Sequence, residues 1–541
     1  MTKNIISFLI FIFSVGAIIA QDLPLIKNYT TEDYKGESQN WSISQSSEGY
    51  LYAANNKGLL EYNGARCKLY PTPNETIMRS VKAIKALVYT GFYMDFGVWK
   101  RNAFGNLVYT SLVKENKIPV LEDEQFWNIL KLDEWILFQS LQRIYLFNPI
   151  TKKIRIIDSD VKITKMFKVD NTIYFQKLGK GIFTIEKGIA KLVSNATVFK
   201  ENDVIDVFLK DNKLLVLTNS KGFYFLENNI VTSWNVPANK YLVNKTVYSS
   251  CLLENGDYGI GTISNGFTLI TKEGNIDFNI SKDNELPNNT VLSVFQEVKG
   301  SLWLGLDNGI SSINLNSSIK RFKDKKGNLG TVYTSIIFNN YLYLGTNQGL
   351  FFKKNNSKES FSLIDGTQGQ VWFLGAFEDK LFCGHDVGTL ILKENNIVNK
   401  INTQGTWGIK KLKNGNLLQG NYSGLYVLDK KNGVWRIKNK IEGFNNSSRF
   451  FETYKDNIVF VNHEYKGVFK LEINSSYSKV LKATKEPSIN KGIHSSIVKY
   501  DDKIYYAYKK GIFVYNDKNE QFVKDNTLSN LYNEEIYTSG K

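Results

Sequence analysis

Short runs of alternating apolar and polar residues fill most of the chain, and the runs recur in ordered groups. An apolar alternating segment comes first. A short polar turn follows, then a second apolar segment that ends in a small residue. Three or four residues later comes Gly, then an apolar pair. Clear copies run from Val291 through Gly300-Ser-Leu-Trp-Leu-Gly-Leu-Asp-Asn-Gly-Ile310, from Val332 through Leu342-Tyr-Leu-Gly-Thr-Asn-Gln-Gly-Leu350, and from Trp41 through Leu51-Tyr-Ala-Ala-Asn-Asn-Lys-Gly-Leu59. The period of two predicts strands of five or six residues. The repeated glycine falls at Gly58, Gly97, Gly181, Gly222, Gly266, Gly309, Gly349, Gly388, Gly424, Gly467 and Gly511, mostly at steps of roughly 36 to 45 residues. The wide gap from Gly97 to Gly181 accommodates a degenerate copy around Trp135–Ile144, with Gln142 or Arg143 at the turn, so the sequence predicts twelve units.

Each unit has room for a fourth, weaker strand, such as Arg66-Cys-Lys-Leu-Tyr70 or Ile319-Lys-Arg-Phe322. Four short strands in about 40 residues make one propeller blade. A lone blade cannot bury both of its faces, so blades must stack around an axis. The fold class expected is all-β, as tandem β-propellers: a closed seven-bladed ring over 21–317 and an incomplete ring of about five blades over 318–541. Closure of the first ring needs a strand from the amino end. Residues 25–30, Leu-Ile-Lys-Asn-Tyr-Thr, are expected to pair beside 291–314, which frees Ile319-Lys-Arg-Phe322 to start the second ring and leaves a raw edge near 495–530.

Composition changes this picture little. Tyr, Phe and Trp number 30, 34 and 9, against 8 Pro, which suits strands. The formal charge of +16 comes mainly from scattered Lys with no dense basic block, so nucleic acid is not an expected partner of this chain. Edge lysines discourage sheet-to-sheet pairing. The first twenty residues, with Lys3, the apolar run Ile5–Ile19 and Ala20, read as a secretory signal peptide and predict a periplasmic protein. Cys67, Cys251 and Cys383 lie far apart and are expected as buried thiols without disulfides.

Two stretches resemble a known family. Gly300–Ile310 is similar to the two-component-regulator propeller repeat. Ile26-Lys-Asn-Tyr-Thr-Thr-Glu-Asp-Tyr34, Ser38-Gln-Asn-Trp-Ser-Ile43, Asn56-Lys-Gly-Leu-Leu-Glu-Tyr-Asn-Gly64 and Pro71-Thr-Pro73 resemble the start of a Bacteroidetes-type sensor group. The resemblance spans most of residues 24 to 525. It implies a periplasmic sensor of two seven-bladed propellers, followed by a β-sandwich with three tyrosines, a membrane helix, and a histidine kinase or helix-turn-helix output. It also implies a homodimer in the full receptor and an inner-membrane anchor. The sequence stops before any of those later parts, so a fragment or a truncated gene is expected.

Chemistry of the catalytic kind is hard to find. His385, His463 and His494 fall in three different units without metal-ligand spacing. No phosphate-loop motif is present. No catalytic residue, metal or cofactor is therefore assigned, and the chain is read as no enzyme. The first residues of the inner strands are the candidates for binding: Trp41, Arg79, Trp127, Asp203, Tyr248, Asn289, Tyr333, Trp372, Trp407, Arg449, Phe450 and His494. Inner strands line the axis of a propeller. Aromatic rings with Arg and amide groups suit an oligosaccharide, whose apolar face stacks on rings. The choice for a ligand set is Trp41, Arg79, Trp127, Tyr248, Tyr333, Trp372, Trp407 and Arg449. The competing reading for any one of them is plain packing between blades. The function expected is an extracytoplasmic ligand-sensing module. The alternatives are a polysaccharide lyase or quinone-dependent dehydrogenase on the same fold, the latter suggested by Ile150–Ile154 and Leu428–Trp435, or a protein-binding scaffold.

Overall fold

The structure, a computed structural model, describes residues 22–322, 327–357 and 359–530. The signal peptide expected over 1–20 lies outside the described residues. The chain divides into two compact units, Gln21–Lys323 and Asp324–Lys541. Both are built from four-stranded antiparallel sheets of the β-propeller type, with seven such sheets among the described residues of the first unit and five in the second.

The first sheet shows the logic. Its strands are Asn40–Gln45, Leu51–Asn55, Gly58–Tyr62 and Cys67–Pro71, joined in sequence order by hairpins. Every residue of Leu51–Asn55 is buried, as is every residue of Tyr258–Thr262 and Leu302–Leu306 in later sheets. A second strand has a sheet on each side, so both of its faces are apolar or small. The fourth strand, Cys67–Pro71, buries Tyr70 alone. That is why second strands read as unbroken apolar runs and fourth strands are hard to see.

Tight hairpins join first to second strands. Asn339 and Asn340 both take positive φ, 47° and 64°, as a two-residue turn requires. The repeated glycine answers a different constraint. Gly58, Gly181 and Gly388 open third strands with φ of 141°, 113° and 134°, and a Cβ there would sit 2.2, 2.1 and 2.1 Å from the carbonyl oxygens of Tyr70, Ser194 and Ile401 on the fourth strand. Gly97 shares the close approach, 2.3 Å to the Thr110 carbonyl oxygen, but not the position. It lies inside the third strand Asp95–Arg101, and Met94 carries the positive φ of 59° in the turn. The degenerate unit is present as Asn128–Leu132, Trp135–Gln139, Arg143–Phe147 and Ile154–Asp158. Its turn uses Ser140 in place of glycine: the hydroxyl accepts from the Gln142 and Arg143 amides at 3.2 and 3.0 Å.

In the last sheet of the first unit, Val291–Gln296, Leu302–Leu306 and Ile310–Asn314 are joined by Leu25–Tyr29, which pairs Leu25 with Asn314 and Tyr29 with Ile310. The strand expected beside 291–314 lies there. Inner strands pack on one another in sequence, and Val291–Gln296 also packs against Asn40–Gln45. The first and last sheets share hydrogen bonds: Asn40 Nδ2 donates to the Gly309 carbonyl at 3.0 Å, the Gly309 amide to the Ser38 carbonyl at 3.0 Å, and the Val298 amide to Gln45 Oε1 at 2.9 Å.

One expectation is overturned. Ile319–Phe322 does not begin the second unit. Arg321–Phe322 pairs with Asp22–Leu23 in a two-stranded ribbon that belongs to the first unit. The division between units accordingly falls after Lys323 rather than after Ser317.

In the second unit the inner strands Val332–Phe338, Val371–Phe377, Thr406–Lys411, Phe450–Tyr454 and Ser496–Tyr500 pack in succession. The two end strands carry exposed apolar side chains, with Ile337 60% and Tyr500 73% exposed. Cys67, Cys251 and Cys383 are free, and Cys383 alone is fully buried; Cys67 and Cys251 are partly buried, which corrects the expectation of three buried thiols. No helix among the described residues is long and apolar enough to cross a membrane.

Two outcomes follow from this packing. Gly181→Ala should destabilise the protein by about 2 kcal/mol or more, because strain and a carbonyl clash act together, whereas Gly49→Ala, with φ of 87° and nothing within 4 Å, should cost only about 1 kcal/mol. Urea titration compares them, and equal losses would remove the role given to the fourth-strand carbonyl. Deleting residues 22–30 should raise amide exchange in Ile310–Asn314 and leave Val371–Phe377 unchanged. Unaltered protection of Ile310–Asn314 would contradict the pairing.

Candidate functional site

Inner strands of both units share a local irregularity. The ladder with the second strand skips one residue near the start of the inner strand: between Asn40 and Ser42, Met78 and Ser80, Val204 and Asp206, Val247 and Ser249, Val291 and Ser293 in the first unit. The same shift lies between Val332 and Thr334, Val371 and Phe373, and Thr406 and Gly408 in the second. Such a bulge leaves one residue unpaired and re-aims its side chain. Six of the eight residues chosen from sequence, Trp41, Arg79, Tyr248, Tyr333, Trp372 and Trp407, are the skipped residues. Trp127 instead precedes its strand, where its amide donates to the Gln139 carbonyl at 2.8 Å.

In the first unit, Trp41, Arg79, Trp127 and Tyr248 line one cavity of about 380 Å³. The Arg79 guanidinium carbon lies 4.4 Å from the Trp41 ring centre and 4.6 Å from that of Trp127. The two indoles stand edge to face at 5.9 Å and 84°. Arg79 Nε donates to Gln125 Oε1 at 3.0 Å. Trp41 is anchored through its indole N–H, which donates to Asn56 Oδ1 at 2.8 Å; Asn56 donates to Gln39, and Gln39 to Asp307 on the last sheet. Burial pulls the Arg79 guanidinium down from its usual ionisation range and pushes the Tyr248 phenol up, while each opposes the shift of the other. Gln139 and Asn219 also line this cavity, and the Trp127 indole N–H, Gln139 Oε1 and Asn219 Oδ1 are buried without a hydrogen-bond partner.

A second cavity of about 550 Å³ shares Trp41, Trp127, Asn128, Lys165 and Leu292 with the first. Lys82, Lys165, Lys168, Asp206 and Cys251 line it. These groups are surrounded by sheet walls yet reached by solvent along the cavity. Burial lowers the Lys82 and Lys165 ammonium groups and raises the Asp206 carboxyl, with Lys165 and Asp206 each partly offsetting the shift of the other. Ser250 Oγ donates to Asp206 Oδ2 at 2.7 Å, and the Val207 amide to Asp206 Oδ1 at 2.9 Å. These residues escape the sequence reading because the bulge breaks the period of two. Lys82, Asp206 and Cys251 stand three positions after Arg79, Asp203 and Tyr248, an offset that strict alternation assigns to the opposite face.

In the second unit, Tyr333, Trp372, Trp407 and Tyr422 form a ladder of rings. Centroids are 4.6 Å apart for Tyr333 and Trp372, 4.9 Å for Trp372 and Trp407, and 4.9 Å for Trp407 and Tyr422. Arg449 lies over the Trp407 ring at 4.9 Å and within 3.9 Å of Glu464. The Trp372 indole donates to the Tyr422 hydroxyl and that of Trp407 to Ser447 Oγ, each at 3.0 Å. Tyr422, on the turn after the second strand, was not among the sequence candidates. The eight candidates thus form two separate groups, four in each unit. Asp203 joins the first cavity. The Asn289 amide oxygen is engaged by the Lys282 amide at 2.7 Å. Among the described residues no group of three His, Cys, Asp or Glu side chains could hold a metal ion.

No family model matches the chain, and no curated protein does. Solved structures do. The extracellular domain assigned to the hybrid two component system BT3049 of B. thetaiotaomicron superposes with a TM-score of 0.72 at 14% identity, over 93% of this chain and 73% of that one. The extracellular domain assigned to the one component system BT4673 of B. thetaiotaomicron gives 0.44 at 18% identity, over 93% and 74%. The first of these establishes a shared fold, and that fold is the propeller architecture that the resemblance carried by Gly300–Ile310 and Ile26–Ile43 implies.

Burial pushes the Cys251 thiol up to about 11. At pH 8 its thiolate fraction is then ~100-fold below that of a thiol ionising near 9. Iodoacetamide should modify Cys251 correspondingly slowly at pH 8, with the rate rising about tenfold per pH unit up to pH 11. Peptide mass spectrometry reads this site by site. Fast labelling at pH 8 would remove the thiol from the buried cavity wall.

Proposed function

We propose that this chain is the extracytoplasmic ligand-sensing module of a signalling receptor, periplasmic and exported by the signal peptide over 1–20, and that it binds an oligosaccharide without turning it over. In this reading residues 22–322 form a closed seven-bladed propeller, supported by the Leu25–Tyr29 pairing and by the contacts between first and last inner strands. The second unit is an incomplete propeller arc. Its end strands expose apolar side chains that a further blade would cover.

The observation that carries the reading is the first cavity. Two indoles meet one guanidinium beside three buried polar atoms that lack partners among the described residues. A sugar supplies what this wall lacks: hydroxyls for the unmet donor and acceptors, and an apolar ring face for the indoles. The first unit offers these features in one cavity; the aromatic ladder of the second offers stacking on partly exposed rings. The shared fold with a receptor's extracellular domain favours sensing over catalysis.

The test is titration of the chain with neutral and acidic oligosaccharides, followed by intrinsic tryptophan fluorescence. Binding should shift the emission. Trp127→Ala should weaken binding by a factor of about 10 or more, matching the loss of a stacking ring and a buried donor. Release of unsaturated sugars, or reduction of a dye with added quinone, would replace this reading with an enzymatic one. Failure of every oligosaccharide to bind would remove the glycan.

A further inference from the structure

The wall of the first cavity is unevenly charged. Arg79, Lys162 and Lys165 line it, against a single carboxylate, Asp203. Among the described residues none of these three cations forms an ion pair. The contacts of Arg79 are its Nε bond to Gln125 and the two indole faces, which leaves both terminal nitrogens as a free pair of donors. Lys165 is attracted by Asp206 in the neighbouring cavity but is not bridged to it. Arg79 and Lys165 are half-buried, whereas Lys162 is exposed at the rim; burying a cation without a counter-ion is costly, and the cost is relieved when an anion enters. The burial that pulls Arg79 and Lys165 down from their usual ranges reflects the same unmet charge.

The shape of the donors narrows the anion. A guanidinium whose Nε is occupied presents its two remaining nitrogens side by side, which matches the two oxygens of a planar carboxylate. Arg79 lies against both Trp41 and Trp127, so a carboxylate held there brings its attached ring beside the indoles. Gln139 Oε1 and Asn219 Oδ1, both buried and unpartnered, accept hydrogen bonds and so suit hydroxyl groups on the same ring. We infer that the cavity of the first unit recognises a uronic acid residue of an oligosaccharide, its carboxylate on Arg79 with Lys162 and Lys165 beside it, and its ring on Trp41 and Trp127. This inference rests on the glycan-binding reading above and adds the charge of the sugar and the group that selects it.

Calorimetry on the unaltered chain is the primary test, with digalacturonate, its dimethyl ester and galactobiose as one series, and cellobiouronic acid, its methyl ester and cellobiose as the other. In at least one series the acid should bind roughly 10-fold or more tightly than its ester, as expected for a desolvated charge-assisted pair. The advantage should shrink at high salt, in proportion to the charge exposed along the open side of the cavity. Arg79→Gln, checked for an unchanged melting temperature, should reduce the acid to the affinity of the ester. Equal binding of acid, ester and neutral sugar would overturn the inference and leave the glycan reading standing. An acid preference that survives Arg79→Gln would overturn it too, by placing the carboxylate elsewhere. Binding of no sugar in either series, nor in the wider panel, would overturn both.

Discussion

Each sheet of this protein has two apolar faces and no helix layer to cover them. That requirement governs everything else in the fold. A second strand such as Leu51–Asn55 is buried along its whole length only because a neighbouring sheet lies on each side. The need passes from sheet to sheet, and Val291–Gln296 packs on Asn40–Gln45 as well. The Leu25–Tyr29 strand completes the last sheet from the other end of the unit. It ties residues nearly three hundred positions apart in sequence, so the unit depends on non-local pairing to hold its perimeter.

Much of this was legible in the sequence because it is repeated. The repeat shows the apolar second strand and the polar hairpin, and in units such as those of Gly58, Gly181 and Gly388 the glycine that lies under a fourth-strand carbonyl; even the degenerate unit around Trp135 keeps its strands. What resisted reading is what occurs once. The ribbon of Asp22–Leu23 with Arg321–Phe322 involves four residues with no pattern, and it moves the division between units past the fourth-strand sequence that seemed to open the second. Gly97 matched the repeat spacing but sits inside a strand, since Met94 accepts the strained turn conformation.

The candidate site divides in the same way. Positions at the start of inner strands could be chosen from the repeat, and the structure gathers them into one cavity in the first unit and one ring ladder in the second. The lysines, Asp206 and Cys251 deeper in the first unit could not, because the register skip reverses which residues face inward after it. Gln139 and Asn219 were missed for another reason. They end second strands or begin the turn beyond, and their relevance comes from unmet hydrogen bonds, which only three-dimensional placement discloses.

The register skip near the start of the inner strand separates two tasks that most strands combine. A residue inside a ladder contributes to pairing and to a face of the sheet, so replacing it disturbs both. The skipped residue contributes its side chain alone. It is Trp in the first sheet, Arg in the second, Ile205 in the fifth, Tyr in the sixth and Leu292 in the seventh, all on the same backbone geometry. Chemical identity at Trp41, Arg79 and Tyr248 can therefore diverge with the ladder left intact, whereas Ile205 and Leu292 are tied to the core. A descendant of this chain could acquire a new ligand by altering a handful of codons, each in a different sheet, at the skipped positions that lie outside the core.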